Sequence, residues 1–535
     1  MNSNQSKGTI YFGGSIITMN DNQPIVKAIG IEGEKIVSIG NLEEVKNKMG
    51  KKCKLIDLKG NTLLPGFIDC HIHPIPYLLT FIYLNLKGVN SLHELQNILK
   101  ETAKGKKKND FIFGMNLMEE GFEIPIPPTR WDLDEACPEN PVFLMKIDGH
   151  SGFANSKALE LARINRETIA PKDGEIVKDE NGEPTGILTE RMLITLMKYV
   201  PLPERKIVLE AASKVFNILA ENGITSIHGI FELDNGPGNL GSFAVPILKN
   251  ITDRIHQNLY SIFFTTNAKK LNRIKKSPLD DNKKDGKFKV GGIKEWFDGS
   301  YDSLTAYMFE SYTDYPKKNG FCVIEEEVLY KRMVNAHNLG YQIAIHAIGD
   351  KANRIVVDLY KKLLTEFPRE DHRHRIEHAS ILSDEVIKDI KELGIITSCQ
   401  PAFINLEYTW VENRLGKERI KYTYPYRSLL DAGVVIASGS DAPVDKPNVI
   451  LGLYGFVTRS GFVPEQCISM EEALKTYTIN GAYASFEEDI KGSIEEGKLA
   501  DLVILNKNPF KVSNDEIKEI QVLETIIRGK TVYKK

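Results

Sequence analysis

Short apolar runs separated by polar, helix-length stretches recur through the middle of the chain. Eight stand out: LLPGFIDCHIH (63–73), ITSIHGIF (224–231), LYSIFFTT (259–266), VGGIKEWFDG (290–299), YQIAIHAIG (341–349), HRIEHASIL (374–382), IITSCQPAF (395–403) and VVIASGSDAP (434–443). Their lengths and β-branched or aromatic content suit buried strands. Between most of them lie amphipathic stretches such as EEEVLYKRMVNAHNLG and LSDEVIKDIKELG. Gly340 and Gly394 follow these, where a helix end favours a residue free to turn left-handed. Eight strands alternating with helices predict the α/β class and a (β/α)8 TIM-like barrel, here over 63–487.

Two regions break that rhythm. TIYFGGSIITM and AIGIEGEKIVSIG near the start, and KGSIEEGKLADLVILN and VLETIIRGKTVYKK near the finish, read as short strands broken by glycine turns. The two β-rich ends, 1–62 and 488–535, are expected to pair into one small domain. The first and second barrel strands are separated by about 150 residues, where one helix would do. An inserted subdomain over 80–215 is expected there, with its own strand-like ENPVFLMKIDG, the proline-rich IPIPPTR and the turn-rich PKDGEIVKDENGEPTG.

Composition narrows the function classes. A chain of 535 residues, 42 % apolar and 26 % charged, has the balance of a soluble globular protein too long for one ordinary core. A net charge of −3 argues against a nucleic-acid partner, which needs a basic excess. Lysine-rich stretches near 104–108 and 275–289 read as solvated loops. No apolar run approaches the ~20 residues that span a bilayer, so no membrane partner is expected. The opening MNSNQSKGTIYF lacks the apolar core of a secretion signal. Six cysteines (53, 70, 137, 322, 399, 467) are scattered without a CxxC pair, a pattern that fits reduced thiols and a cytoplasmic location.

Chemistry concentrates at the strand ends, where barrels of this type carry function. In FIDCHIHP, strand alternation puts His71 and His73 on one face with Asp69, and turns Cys70 and Ile72 away. The fourth strand carries Lys294, the fifth His346, the sixth His378 and the eighth Asp441. Each alone has an ordinary explanation. His346 or His378 could be a hydrogen-bonded histidine, Lys294 a salt-bridge partner of Asp298 or Glu295, and Asp441 a helix cap. Six ligand-type residues at one end of five strands point jointly to a metal site.

This constellation resembles the amidohydrolase superfamily of metal-dependent hydrolases. PGFIDCHIHP is similar to its first-strand motif, and the chain ends, including GKLADLVIL, to its composite β-sandwich. GGIKEWFDGS, HAIGDKAN, RIEHAS and SGSDAPV resemble most the branch that includes N-substituted formamide deformylase. That branch also carries the insertion, and DGHSGFANSKAL (148–159) resembles a stretch of it close to the active site.

The resemblance implies two divalent metal ions. His71, His73 and Asp441 would hold one, and His346 and His378 the other. Lys294 would bridge both as a carbamate made with CO2, since a protonated lysine, with an ordinary pKa of about 10.4, would repel a dication. Nitrogen and oxygen ligands without thiolate suit zinc, with iron or manganese open. The implied reaction is attack of a metal-bridging hydroxide on a C–N amide-type bond of an N-acyl or N-formyl amine, outside peptides. Asp441 would relay the proton to the leaving amine, and His150 in DGHS would hold the substrate or the oxyanion.

An esterase, lactonase or organophosphate hydrolase on the same site is the alternative, and a regulatory protein with a vestigial barrel the non-enzymatic one. A deaminase fits less well. It would place a Glu three residues after a strand-end His, where Gly349 and Ile381 stand. The partner implied is a small-molecule substrate, and a homodimer stays open. Phe403, Tyr408 and Trp410 after the seventh strand hint at an apolar substituent.

Overall fold

The computed structural model describes residues 8–50, 52–146, 149, 151–171, 174–234, 247–248, 250–275, 280 and 286–535. Eight strands lie side by side in chain order: β1 (Phe67–Ile72), β2 (Ile224–Glu232), β3 (Asn258–Phe264), β4 (Phe288–Trp296), β5 (Gln342–Ala347), β6 (Arg375–His378), β7 (Ile396–Cys399) and β8 (Ile436–Ser438). Their described registers are parallel. At the two edges the Asp441 N–H donates to the His71 carbonyl at 2.7 Å and the His73 N–H to the Ala442 carbonyl at 2.9 Å. The first strand thus meets the chain leaving the last, and the sheet nearly closes into the expected barrel. Helices return the chain between strands. In Asp350–Glu366, Val356, Val357, Tyr360 and Leu363 recur at helical spacing and are buried.

The terminal segments form a second eight-stranded sheet in the same compact unit as the barrel. Gly8–Ile17, Ile25–Glu32, Lys35–Gly40, Cys53–Asp57 and Thr62–Pro65 come from the start of the chain. Leu502–Leu505, Val522–Ile527 and Lys530–Lys534 come from its end. The two sets join where Leu502–Leu505 runs antiparallel to Thr62–Pro65. Ile16, Ile29, Ile36, Leu63, Leu502, Ile504 and Ile526 share its core.

This sheet corrects one boundary. The run 63–73 reads as a single strand but is two. Pro65 has no N–H to continue a ladder, and at Gly66 the chain changes sheets. The Gly66 N–H donates to the Asp501 carbonyl at 2.8 Å, and that of Phe67 to the Gly223 carbonyl at 2.9 Å. A Cβ on Gly66 would lie 2.2 Å from the Thr225 side chain, so the crossing needs a glycine. The barrel strands also end earlier than their apolar runs suggest, and Asp441 stands three residues beyond β8.

Residues 75–212 with 232–252 make a separate compact unit. Its six-stranded sheet is built from Leu84–Asn85, Ile112–Leu117, Val142–Lys146, Ser151–Ala154, Pro184–Glu190 and Gly174–Lys178. Leu95 and Leu99 of the helix Leu92–Lys104 pack into one core with Ile112, Val142, Leu144 and Phe153. Among the described residues no helix is long and apolar enough to cross a membrane.

Candidate metal centre

β1 brings Asp69 and His71 to one face, with His73 just past its end. Asp69 serves as a brace, accepting the His71 N–H at 3.2 Å, the Ser440 N–H at 3.0 Å and the Ser440 hydroxyl at 2.6 Å. Burial raises its carboxyl to about 6. The brace ties β1 to the loop after β8, and that loop delivers Asp441. Ligand-type atoms of His71, His378 and Asp441 all lie within 4.8 Å of one another. His73 Nε2 is 3.1 Å from Asp441 Oδ1, and the His346 and His378 rings are 4.4 Å apart. His378 (φ +71°) and Asp441 (φ +58°) adopt the left-handed region, costing on the order of 1 kcal/mol each and common at functional sites.

Three of the histidines have one nitrogen committed to the protein. His71 Nδ1 meets Glu377 Oε2 at 2.5 Å, His378 Nδ1 meets Gln400 Oε1 at 2.7 Å, and His346 Nε2 meets the Gly299 carbonyl at 3.1 Å. All three partners are acceptors, so the facing nitrogen carries the proton. The bare lone pairs are then Nε2 of His71, Nε2 of His378 and Nδ1 of His346. Glu377, Gln400 and Gly299 were not among the residues singled out from sequence. Only Glu377 left a trace there, as a charged residue one position before His378 in a strand that also carries Arg375.

Lys294 is fully buried, and neither carboxylate that could have paired it does so. Glu295 pairs with Arg332 at 3.0 Å. Asp298 accepts the N–H groups of Ile348, Gly349 and Tyr307. The lysine Nζ donates to the Glu295 carbonyl at 3.3 Å and lies 4.2 Å from the Trp296 ring centre. Burial lowers its pKa to about 8, against the pull of Glu377, Asp441 and Glu295. Burial, with the neighbouring His71, lowers His378 to about 3, and burial with His378 holds His346 well below its ordinary value. Asp441 goes the other way. Its burial would raise it, but His71 and His73 outweigh that and keep it well below the carboxylate range.

The donors fit a cation. His71 Nε2 and Asp441 Oδ1 are buried 3.3 Å apart, and His73 Nε2 lies 3.1 Å from the same oxygen. Imidazole nitrogens converging on one buried carboxylate oxygen form a donor set that a divalent cation suits. Cys70 packs among Ile68, Ile396, Ala437 and Ala482 instead. His150 lies outside the described residues.

The profile described as Amidohydrolase family matches residues 54–533. The protein LONG AFTER FAR-RED 3 of Arabidopsis thaliana is 30 % identical, over 97 % of this chain and 90 % of its own length. The N-substituted formamide deformylase of Arthrobacter pascens is 27 % identical over 99 % of both. Among solved structures, an uncharacterized metal-dependent hydrolase from Pyrococcus horikoshii OT3 superposes with a TM-score of 0.75 at 26 % identity, covering 95 % of this chain and 99 % of that one.

Proposed function

The chain belongs to the amidohydrolase family and is a metal-dependent hydrolase, and from that premise we propose that it cleaves C–N amide-type bonds of N-acyl or N-formyl amines. The observation that carries the reading is the convergence of His71 Nε2 and His73 Nε2 on Asp441 Oδ1 at the C-terminal end of the barrel. The likeness to a formamide deformylase over nearly the whole chain supports the bond class.

In this reading His71, His73 and Asp441 hold one divalent ion and His346 and His378 a second, with zinc the expected metal. Lys294 joins them as its carbamate. Its burial and lowered pKa leave a neutral amine fraction able to take up CO2. Bound ions of this kind acidify water and polarise a carbonyl. Asp441, held ionised beside two imidazoles, accepts the proton of the attacking water and returns it to the leaving amine nitrogen. His150 is assigned the substrate or the oxyanion.

The test is metal analysis of the purified protein together with a panel of N-formyl amines, N-acyl amines, esters, lactones and phosphotriesters. About two zinc equivalents and turnover confined to amides are expected. Ester, lactone or phosphotriester turnover without amide turnover overturns the bond class. Less than one equivalent after growth with zinc, with no turnover, points to the regulatory alternative.

A further inference from the structure

The interior of a barrel of this kind is ordinarily filled by branched apolar side chains. β6 departs from that, because strand alternation sends Arg375 and Glu377 inward together and both are fully buried. A buried ion pair is a costly filling. Desolvating both charges often cancels their attraction, and apolar residues of equal volume serve stability as well or better. A pair kept at that cost calls for a use, and its hydrogen bonds show where it leads.

Arg375 is clasped from three other strands. It donates to the Cys70 carbonyl of β1 at 2.7 Å, to His228 Nδ1 of β2 at 2.9 Å and to the Ser398 hydroxyl of β7 at 2.9 Å. Its Nη2 donates to Glu377 Oε2 at 3.0 Å, and its Nε lies 2.7 Å from Glu377 Oε1. The carboxylate is thereby fixed in place, and Oε2 also receives His71 Nδ1 at 2.5 Å. The opposite nitrogen of that ring is Nε2, 3.3 Å from Asp441 Oδ1.

We propose that Glu377, clamped by Arg375, is a positioning residue for His71: it fixes the Nδ1–H tautomer, sets the ring plane and makes Nε2 a stronger donor toward a divalent cation. The inference rests on His71 being a metal ligand. The geometry supplies what such a ligand needs, a charged acceptor on its far nitrogen that is itself immobilised. Neither residue touches the reacting atoms.

Zinc affinity of the full-length protein, measured by competition with a chromophoric chelator, tests it in a cycle of wild type, Glu377→Gln, His71→Ala and the double variant. Glu377→Gln is expected to weaken zinc binding by about 10–100-fold, and by nothing further once His71 is already alanine. A role only in packing would weaken both backgrounds equally, which overturns the proposal, as does unchanged affinity in Glu377→Gln. If Glu377→Gln leaves Arg375 uncompensated and the chain does not fold, Arg375→Met with Glu377→Met replaces it. That variant should bind zinc more weakly to the same degree; wild-type affinity in it overturns the proposal. Unchanged affinity in His71→Ala instead overturns the metal-ligand reading, so the two failures are told apart.

Discussion

A Cβ placed on Gly439 would lie 2.4 Å from the His71 backbone nitrogen and 2.7 Å from the His71 Cβ, while the Gly439 N–H donates to the Cys399 carbonyl at 3.0 Å. The glycine is held between β7 and β1, so Gly439→Ala must displace His71. Overpacking of this sort costs about 1–3 kcal/mol. The variant should melt lower and bind zinc more weakly, which calorimetry and a metal titration measure together. His346→Ala acts differently. Its ring leans on His378 and the Gly299 carbonyl without holding a core together, so it should lose one metal equivalent and most turnover while keeping its fold by circular dichroism. Wild-type turnover in that variant would remove His346 from the centre. Asp441→Asn should lower kcat by about 10²–10⁴-fold, the range of a lost general base. The legible part of the site was residue type: two histidines one apart, and a lysine alone among apolar neighbours. The acceptors behind the histidines were hidden, because Glu377 and Gln400 reach His71 and His378 across strands, and no spacing along the chain encodes that distance.

Among the elements, the helix Asp384–Glu392 shows how a legible signal becomes structure. Ser383 accepts the Val386 N–H, Val386, Ile387 and Ile390 are buried, and Gly394 turns left-handed after the end. Ser383→Ala should cost about 1 kcal/mol of stability in a denaturant titration. Strand ends were less legible, since extended loop residues carry the same apolar composition as strands, and only the hydrogen bonds show where the ladder stops. Hence the split at Pro65–Gly66 and the placing of Asp441 beyond β8. A third element-level feature joins two elements far apart in the sequence. His337 from the helix Glu326–Asn338, with His372 and His374, forms a buried trio against β5 and β6. His374 Nδ1 accepts the Ile343 N–H, His372 Nδ1 accepts the His374 N–H, and His372 Nε2 meets the Leu393 carbonyl. His337 Nδ1 faces His374 Nε2 at 2.9 Å, which suits neutral rings. Arg369, bonded to the His337 and His372 carbonyls, adds an opposing charge. Burial lowers His372 to about 4 and holds His374 well below its ordinary value. Unfolded histidines titrate near 6.5. The folded chain therefore resists protons that the unfolded chain accepts, so stability is full above about pH 6.5 and falls as pH drops toward about 4. For His372 the loss is at most about 3 kcal/mol, each pKa unit being worth about 1.4 kcal/mol. Melting temperature measured from pH 7 to pH 5 should fall, and His372→Gln, less stable at pH 7, should lose less over that range. A flat profile in the wild type contradicts the account.

At the scale of the whole molecule, the terminal sheet and the barrel share polar links, several of them buried. Asp501 accepts the Arg528 N–H and the Asn258 side-chain amide, both at 2.7 Å, and its carbonyl takes the Gly66 N–H at the point where the chain enters β1. Arg528 Nε returns to Asn258 Oδ1 at 2.7 Å, and the Thr525 hydroxyl reaches the Ala220 carbonyl just before β2. The proposed metal centre would add a second tie of the same kind, since its proposed ligands come from β1, β4, β5, β6 and the loop after β8. An ion bound there and absent from the unfolded chain stabilises by RT ln(1 + [L]/Kd), about 2.7 kcal/mol at a hundredfold excess over Kd. Zinc should therefore raise the melting temperature, and a chelator should lower it. Because the ends of the chain are bonded to the strands that carry the proposed ligands, zinc should slow hydrogen exchange in Leu502–Leu505 and Val522–Ile527 as well as in β1 and β6. In Asp501→Ala, where buried donors on Asn258 and Arg528 lose their acceptor, that distant protection should shrink while protection of β6 persists. Protection that stops at the barrel in the wild type would mean that the terminal sheet opens independently, and the linkage through Asp501 would fail.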